Sequence, residues 1–122
     1  MAKTPAFTRL KKHCLSLPEA TLEIKWESPY FCVKGKIFAG AGDHGGRASV
    51  TVKSDRAAQA ELLQRKGFFY PAYVGRAGWV GIILAQVRWP EVAALLTDSY
   101  RRVAPKRLAA QIAVSVTRKR PD

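Results

Sequence analysis

The spacing of apolar residues changes several times along the chain, and each change predicts a new element. The first apolar residues recur every three or four positions: Phe7, Leu10, Cys14 and Leu17. This spacing predicts an amphipathic helix over residues 5–16. Pro18 follows it and is expected to end it, because the residue before a proline disfavours the helical conformation.

After Pro18 the period becomes two, which is typical of a half-buried strand. The alternating apolar positions are Leu22, Ile24 and Trp26, and we expect all three in the core. Lys34-Gly35 predicts a tight hairpin turn, because glycine accepts a positive φ without strain. Further strands are predicted over residues 30–33, 36–41 and 48–53, with a flexible glycine-rich loop at 42–46.

Helical spacing returns twice in the second half of the chain. Ser54 is expected to cap a helix over residues 55–66, and Gly67 to end it. Residues 68–74 are predicted to be extended, and a glycine turn at 75–78 leads into a strand over 79–84. Pro90 opens the next helix, in which we expect the Ser99 hydroxyl to bond a backbone carbonyl one turn back. A short helix over residues 106–116 follows.

These elements predict a single α+β domain with one twisted antiparallel sheet packed against helices. The chain has 122 residues, 48% of them hydrophobic, which is enough for a substantial core. We assign residues 1–117 to this domain and residues 118–122 to a basic tail. The residues predicted to be buried together are Leu22, Ile24, Trp26, Val50, Val52, Leu95 and Leu96.

Charge is the first indication of function. The net charge is +12, and the proposed tail contributes only +2 of it, so the body of the domain is basic. A basic body favours a polyanionic partner, with nucleic acid ahead of acidic lipid; a basic domain without a specific partner is the alternative. No apolar window reaches the ~18 residues that span a bilayer. With no secretory signal pattern and two cysteines, we expect a cytoplasmic protein with buried thiols.

The sequence offers little for catalysis or for a cofactor. Residues 40–45 match the pattern GxGxxG, but a strand pattern follows them where a nucleotide site needs a helix, so we expect a hairpin. The soft metal ligands lack the spacing of a metal site; they are His13, Cys14, Cys32 and His44. There is no nucleophile elbow and no second poised base. We therefore expect no enzymatic activity, no cofactor and no metal.

Basic residues on turns are the best candidates for a binding site, because phosphates are held by lysine and arginine. The turn and strand-end group consists of Lys34, Lys36, Arg47, Lys53 and Arg76. A second group near the end of the last long helix consists of Arg101, Arg102, Lys106 and Arg107. Some of these residues are explained by their favourable interaction with the negative end of the helix dipole. Tyr70 and Tyr73 flank Pro71 and are expected to be exposed.

The order of several short motifs resembles the MmcQ/YjbR-like family. The segments that carry the resemblance are Leu17-Pro18-Glu19-Ala20, residues 31–39 (FCVKGKIFA), Gly78-Trp79-Val80 and Asp98-Ser99-Tyr100. The resemblance implies a CyaY-like α+β fold in a double-wing arrangement and a role in binding DNA. A protein-interaction or small-ligand-binding module without enzymatic activity is the alternative.

Overall fold

Hairpins with two-residue turns build most of the sheet. The computed structural model describes the backbone of residues 5–119 and the side chains of residues 5–112. The first four strands are β1 (Ala20–Lys25), β2 (Ser28–Val33), β3 (Lys36–His44) and β4 (Arg47–Val52). The turns between them are Trp26-Glu27, Lys34-Gly35 and Gly45-Gly46, and all six residues have positive φ. Positive φ at both positions is the geometry of a type I′ hairpin turn, which suits the twist of the strands.

Two short strands complete the sheet, and four helices accompany it. The remaining strands are β5 (Phe68–Phe69) and β6 (Val80–Ile83), and a 3₁₀ helix at Gly75–Ala77 precedes β6. The helices are α1 (Pro5–Leu15), α2 (Arg56–Leu62), α3 (Trp89–Val103) and α4 (Lys106–Lys119). The strand order is β1-β2-β3-β4-β6-β5 with every neighbouring pair antiparallel. The prediction of one α+β domain with an antiparallel sheet is confirmed.

One face of the sheet carries the core. The register sets Phe31, Ala39, Val52 and Val80 in one row across four strands, and all four are buried. Apolar residues of three helices join them in the same cluster: Leu10 and Cys14 of α1, Val92, Leu96 and Tyr100 of α3, and Leu108 and Ile112 of α4. None of the helices in the described part of the chain is long and apolar enough to cross a membrane.

On the opposite face, aromatic rings lie over glycines. A Cβ atom at Gly40 would come within 2.9 Å of the Tyr30 ring, and one at Gly81 within 2.3 Å of the Phe69 ring. His44 stacks on Phe69, with ring centroids 3.7 Å apart and planes 14° from parallel. These rings take the space that side chains at the two glycines would occupy, so the glycines are required by close approach.

Ser99 joins α3 to two strands at the point where they separate. Its hydroxyl donates to the carbonyl of Phe38 (2.6 Å) and accepts from the backbone N–H of Lys53 (2.9 Å). The β2–β3 register shifts at this point, leaving Phe38 as an extra residue in β3, which is the arrangement of a β-bulge. The expected bond to a carbonyl one turn back is wrong, because Ser99 faces the sheet.

The predicted position of Trp26 in the core is wrong. β1 ends at Lys25, and Trp26 lies in the turn with φ 50°, where its side chain is 79% exposed. Ile24 is also exposed, whereas Leu22 and Leu95 are half-buried. Apolar and polar residues do alternate along β1, but the helices do not cover the end of the sheet at the Trp26-Glu27 turn. Val50, Val52 and Leu96 are fully buried, as predicted.

Several element boundaries also differ from the prediction. β3 continues through Gly42 to His44, so the flexible loop shrinks to the two-residue turn Gly45-Gly46. Asp55, not Ser54, caps α2, since its carboxylate accepts from the Ala58 N–H at 2.8 Å. The extended segment 68–74 is a strand only at its first two residues. α4 runs to Lys119, into the predicted tail, and residues 120–122 lie outside the described part.

We expect Ser99→Ala to lower the free energy of unfolding by about 1–3 kcal/mol, because it leaves the buried Phe38 carbonyl and the partly buried Lys53 N–H without their partner. Ser16→Ala is the matched control: its hydroxyl bonds the His13 carbonyl at an exposed site, where a substitution costs within ~0.5 kcal/mol. Urea unfolding measures both variants. An equal loss in the two variants would contradict the role given to Ser99.

Candidate nucleic-acid interface

The hairpins place the basic candidates at two opposite ends of the sheet. The Lys34-Gly35 turn and the Gly45-Gly46 turn are at opposite ends of β3, ~26 Å apart at the usual rise per residue. Val52 pairs with both Ala39 and Val80, so Lys53 and the 3₁₀ helix bearing Arg76 lie toward the Lys34-Gly35 turn. We call this the basic end of the sheet, defined by Lys34, Lys36, Lys53 and Arg76.

Arg47 lies at the other end. It pairs with His44 beside the Gly45-Gly46 turn, although the prediction from sequence groups it with the turn residues of the basic end. The sequence separation between Arg47 and Lys53 is six residues, which in an extended strand is ~20 Å. Arg47 therefore does not share a contact area with Lys36 and Arg76.

Three cations of the basic end have no carboxylate partner among the residues that the structure describes. Lys36 and Arg76 are exposed and Lys53 is half-buried, and within the described part of the chain none of the three forms an ion pair. A cation without a protein counter-charge keeps its full attraction for an external anion.

The turn that carries Arg76 is held by α2. The buried side chain of Gln59 donates through Nε2 to the carbonyls of Gly75 and Trp79, both at 2.7 Å. Arg56 donates through Nη2 to the carbonyl of Arg76 at 2.7 Å. Sequence reasoning missed Gln59, because one polar residue in an otherwise amphipathic helix gives no signal of burial. The result is a turn whose shape is set before any ligand binds.

Lys34 and Arg107 share one carboxylate. Glu19 contacts Lys34 Nζ at 2.7 Å and Arg107 Nη1 at 3.7 Å. The hydrogen bond and charge of Lys34, with a smaller effect of Arg107, hold the pKa of Glu19 below its ordinary value. The structure thereby brings one member of the helix-end group, Arg107, to the hairpin of the basic end, and Lys106 is exposed beside it.

Arg102 is occupied by structural contacts. Its guanidinium bonds Asp98 at 2.9 Å and Asp55 at 3.1 Å, which raises the pKa of Arg102. The Ala58 N–H and Arg102 together lower the pKa of Asp55. Arg102 thus ties α3 to the beginning of α2. Its neighbour Arg101 is half-buried, and its Nε is enclosed without a hydrogen-bond partner among the described residues.

Exposed tyrosines accompany the basic end. Tyr73, three residues before Arg76, is 92% exposed and has φ 66°, and Tyr70 is also exposed. The Tyr70 ring packs over Gly75, where a Cβ would lie 2.6 Å from it. The predicted exposure of both rings is confirmed. An exposed aromatic ring on a turn with a fixed backbone is suited to stacking with a nucleobase.

Two further reactive side chains belong to α1: Cys14 is buried and His13 is half-buried. Burial raises the pKa of the Cys14 thiol to about 12. Burial also lowers the pKa of His13, which lies within hydrogen-bond distance of Thr97 at 3.0 Å and packs edge-on against Trp89. Within the described residues, no three His, Cys, Asp or Glu side chains are grouped as metal ligands. What the basic end can do chemically is bind anions.

Comparison with known proteins gives the family and the fold. The YjbR family model matches residues 15–102. A Deinococcus radiodurans protein, DR2400, with a DUF419 domain, has 20% sequence identity, a TM-score of 0.74 and 92% coverage of each chain. A Pseudomonas syringae protein has 14% identity and a TM-score of 0.71, covering 85% of this chain and 100% of its own. No curated protein sequence matches this chain. Since the family model matches well over half of the residues, the chain belongs to the YjbR family.

Proposed function

We propose that this protein binds nucleic acid, DNA in the first instance, by holding phosphates at the basic end of the sheet. The observation that carries the proposal is the set of three cations without an ion pair to any described residue, Lys36, Lys53 and Arg76, at one end of a domain with net charge +12. Phosphate contacts from lysine and arginine supply most of the affinity of sequence-independent binding.

The geometry supports a backbone contact more than a base-reading contact. Lys36 begins β3 and Arg76 precedes β6, and these two strands are separated only by β4, so the strands lie ~10 Å apart across the sheet. Lysine and arginine supply many of the contacts that proteins make with phosphate oxygens. Such contacts position a polyanion without reading its sequence.

Tyr73 adds a preference for unpaired bases. Its exposed ring is on the same turn as Arg76, and stacking of a base on an aromatic ring contributes about 1–3 kcal/mol per base. Within a duplex the bases are already stacked on one another. We therefore infer that single strands bind more tightly than a duplex of equal length.

Replacing Lys36 and Arg76 by alanine should weaken DNA binding equally for all sequences. The affinity should also become less dependent on salt, with the slope of log K against log salt reduced by about 0.9 per lost phosphate contact in duplex DNA. Fluorescence anisotropy of a labelled duplex and a labelled single strand across a salt series measures this.

Arg47→Ala is the matched control for these two substitutions, because it removes one exposed cation from the opposite end of the sheet. It should change the slope much less than either substitution at the basic end. If wild-type protein binds neither DNA at ~50 mM salt, where screening is weak, the proposed function is wrong.

Glu19→Gln should raise DNA affinity several-fold and steepen the salt dependence, because it frees Lys34 and Arg107 from their shared carboxylate. Glu27→Gln is the matched control: it changes the net charge by the same amount, but at a turn at the opposite end of the sheet. At 0.15 M salt the Debye length is about 8 Å, so the control should have little effect. Equal gains from the two variants would mean that only total charge matters.

A further inference from the structure

β1 is an open edge of the sheet. It is six residues long and the first strand in the order, whereas the opposite edge, β5, has only two residues. Lys25 and Ser28 close a two-residue turn and form a hydrogen-bonded pair. Hydrogen bonding alternates along antiparallel strands, so the backbone groups of Leu22 and Ile24 point away from β2. A long edge of this kind is a template for another strand.

The Trp26-Glu27 turn next to β1 has an energetically unfavourable backbone conformation. Trp26 has φ 50° and Glu27 has φ 65°, in a turn type that favours Asn-Gly. A bulky residue with positive φ is an outlier, and such outliers cluster at functional positions. The hairpins at Lys34-Gly35 and Gly45-Gly46 both include glycine, so the fold does not require this exception.

The surface around the turn is apolar and locally acidic. Trp26 is 79% exposed and Ile24 67% exposed, and the Trp26 indole is held edge-on against the Tyr30 ring. Residues 23–27, which lie at this end of β1, carry two carboxylates and one ammonium group, a net charge of −1 in a strongly basic protein. This surface therefore does not suit nucleic acid, and its exposed backbone edge suits another protein strand.

We propose that β1 pairs with β1 of a second copy of this chain, antiparallel and centred on Ile24, to form a symmetric dimer with a continuous sheet. The strand is complementary to itself in this register. Glu23 lies opposite Lys25 of the second copy, and Lys25 opposite Glu23, on the face where these two side chains already lie 3.6 Å apart within one chain. The outward backbone groups of Ile24 pair with each other, and the turn that carries the exposed Trp26 of each copy lies just beyond the last paired residues, next to Leu22 of the other copy.

The same charge pattern disfavours the two adjacent registers. Moving the centre by one residue, to Glu23 or to Lys25, sets like charges directly across from each other, which destabilises a strand pair. The two-fold relation makes each contact occur twice, as in any isologous interface. The second copy is thus selected by the charge pattern of a three-residue segment, Glu23-Ile24-Lys25.

Charge reversal tests the register by sedimentation velocity at 0.15 M salt. Wild-type protein should form a weak dimer with a Kd on the order of 100 μM, so that dimer is detected at ~200 μM protein. Glu23→Lys or Lys25→Glu alone should raise the dimer Kd about tenfold, because two attractive cross-strand pairs become repulsive. The double variant Glu23→Lys/Lys25→Glu should restore the wild-type Kd, because opposite charges again face each other.

The turn provides a second test that does not depend on the Glu23–Lys25 pairs. Trp26→Asn/Glu27→Gly installs the favoured type I′ residues, so it should raise the melting temperature while weakening the dimer. Tyr73→Ala is the matched control, since it removes an exposed ring at the other end of the sheet and should leave the dimer unchanged. A monomer at ~200 μM would overturn the proposal and leave the edge to a different protein. So would a dimer that both the charge reversals and the turn variant leave unchanged.

Discussion

The architecture depends on how two neighbouring strands are allowed to part. Beyond Val52 the chain must leave the sheet to begin α2, while β3 at the same level contains the extra residue Phe38. Two strands that separate leave a carbonyl on one strand and an N–H on the other without a strand partner; here the Phe38 carbonyl is buried and the Lys53 N–H is partly buried. One serine hydroxyl satisfies both, because it is the smallest side chain that donates and accepts at once. Without it, an unpaired polar group would lie beneath α3.

The two ends of the sheet differ in what they present, and the difference comes from where the few carboxylates lie. At one end they are used in contacts that hold the structure together, such as Asp55 and Asp98 with Arg102. Lys36, Lys53 and Arg76, on neighbouring turns and strand ends, therefore have no carboxylate partner among the described residues. At the other end, exposed apolar groups stand among Glu23, Lys25 and Glu27. The proposed nucleic-acid contact and the proposed pairing between copies thus occupy different parts of one molecule.

Local patterns in the sequence were enough for the helices, the Lys34-Gly35 hairpin and the fold class, because periodicity and turn chemistry are short-range properties. They failed at Trp26, where the period of two continued past the point at which the strand ends. A pattern of alternation cannot report which part of a sheet the helices cover. The family resemblance, by contrast, rests on the order of several motifs, and the match to the YjbR family model confirms it.

The candidate site could be predicted only in part. Residue type identified Lys36 and Arg76, but grouping Arg47 with them failed, since the end of the sheet at which a residue lies depends on the whole hairpin path. Lys34 and Arg102 were found as basic residues, yet their partners Glu19 and Asp55 are distant along the chain. Which cations are free is a property of tertiary contacts.

The glycines beneath aromatic rings on the open face have a consequence for how this sequence can vary. Tyr30 and Gly40, like Phe69 and Gly81, occupy a shared volume on adjacent strands, an arrangement in which a ring shields the backbone that glycine leaves bare. A larger residue at either glycine is compatible with the sheet only when the facing ring is lost. In related chains each pair should therefore change as a unit, so that the ring and the glycine are inherited or lost together.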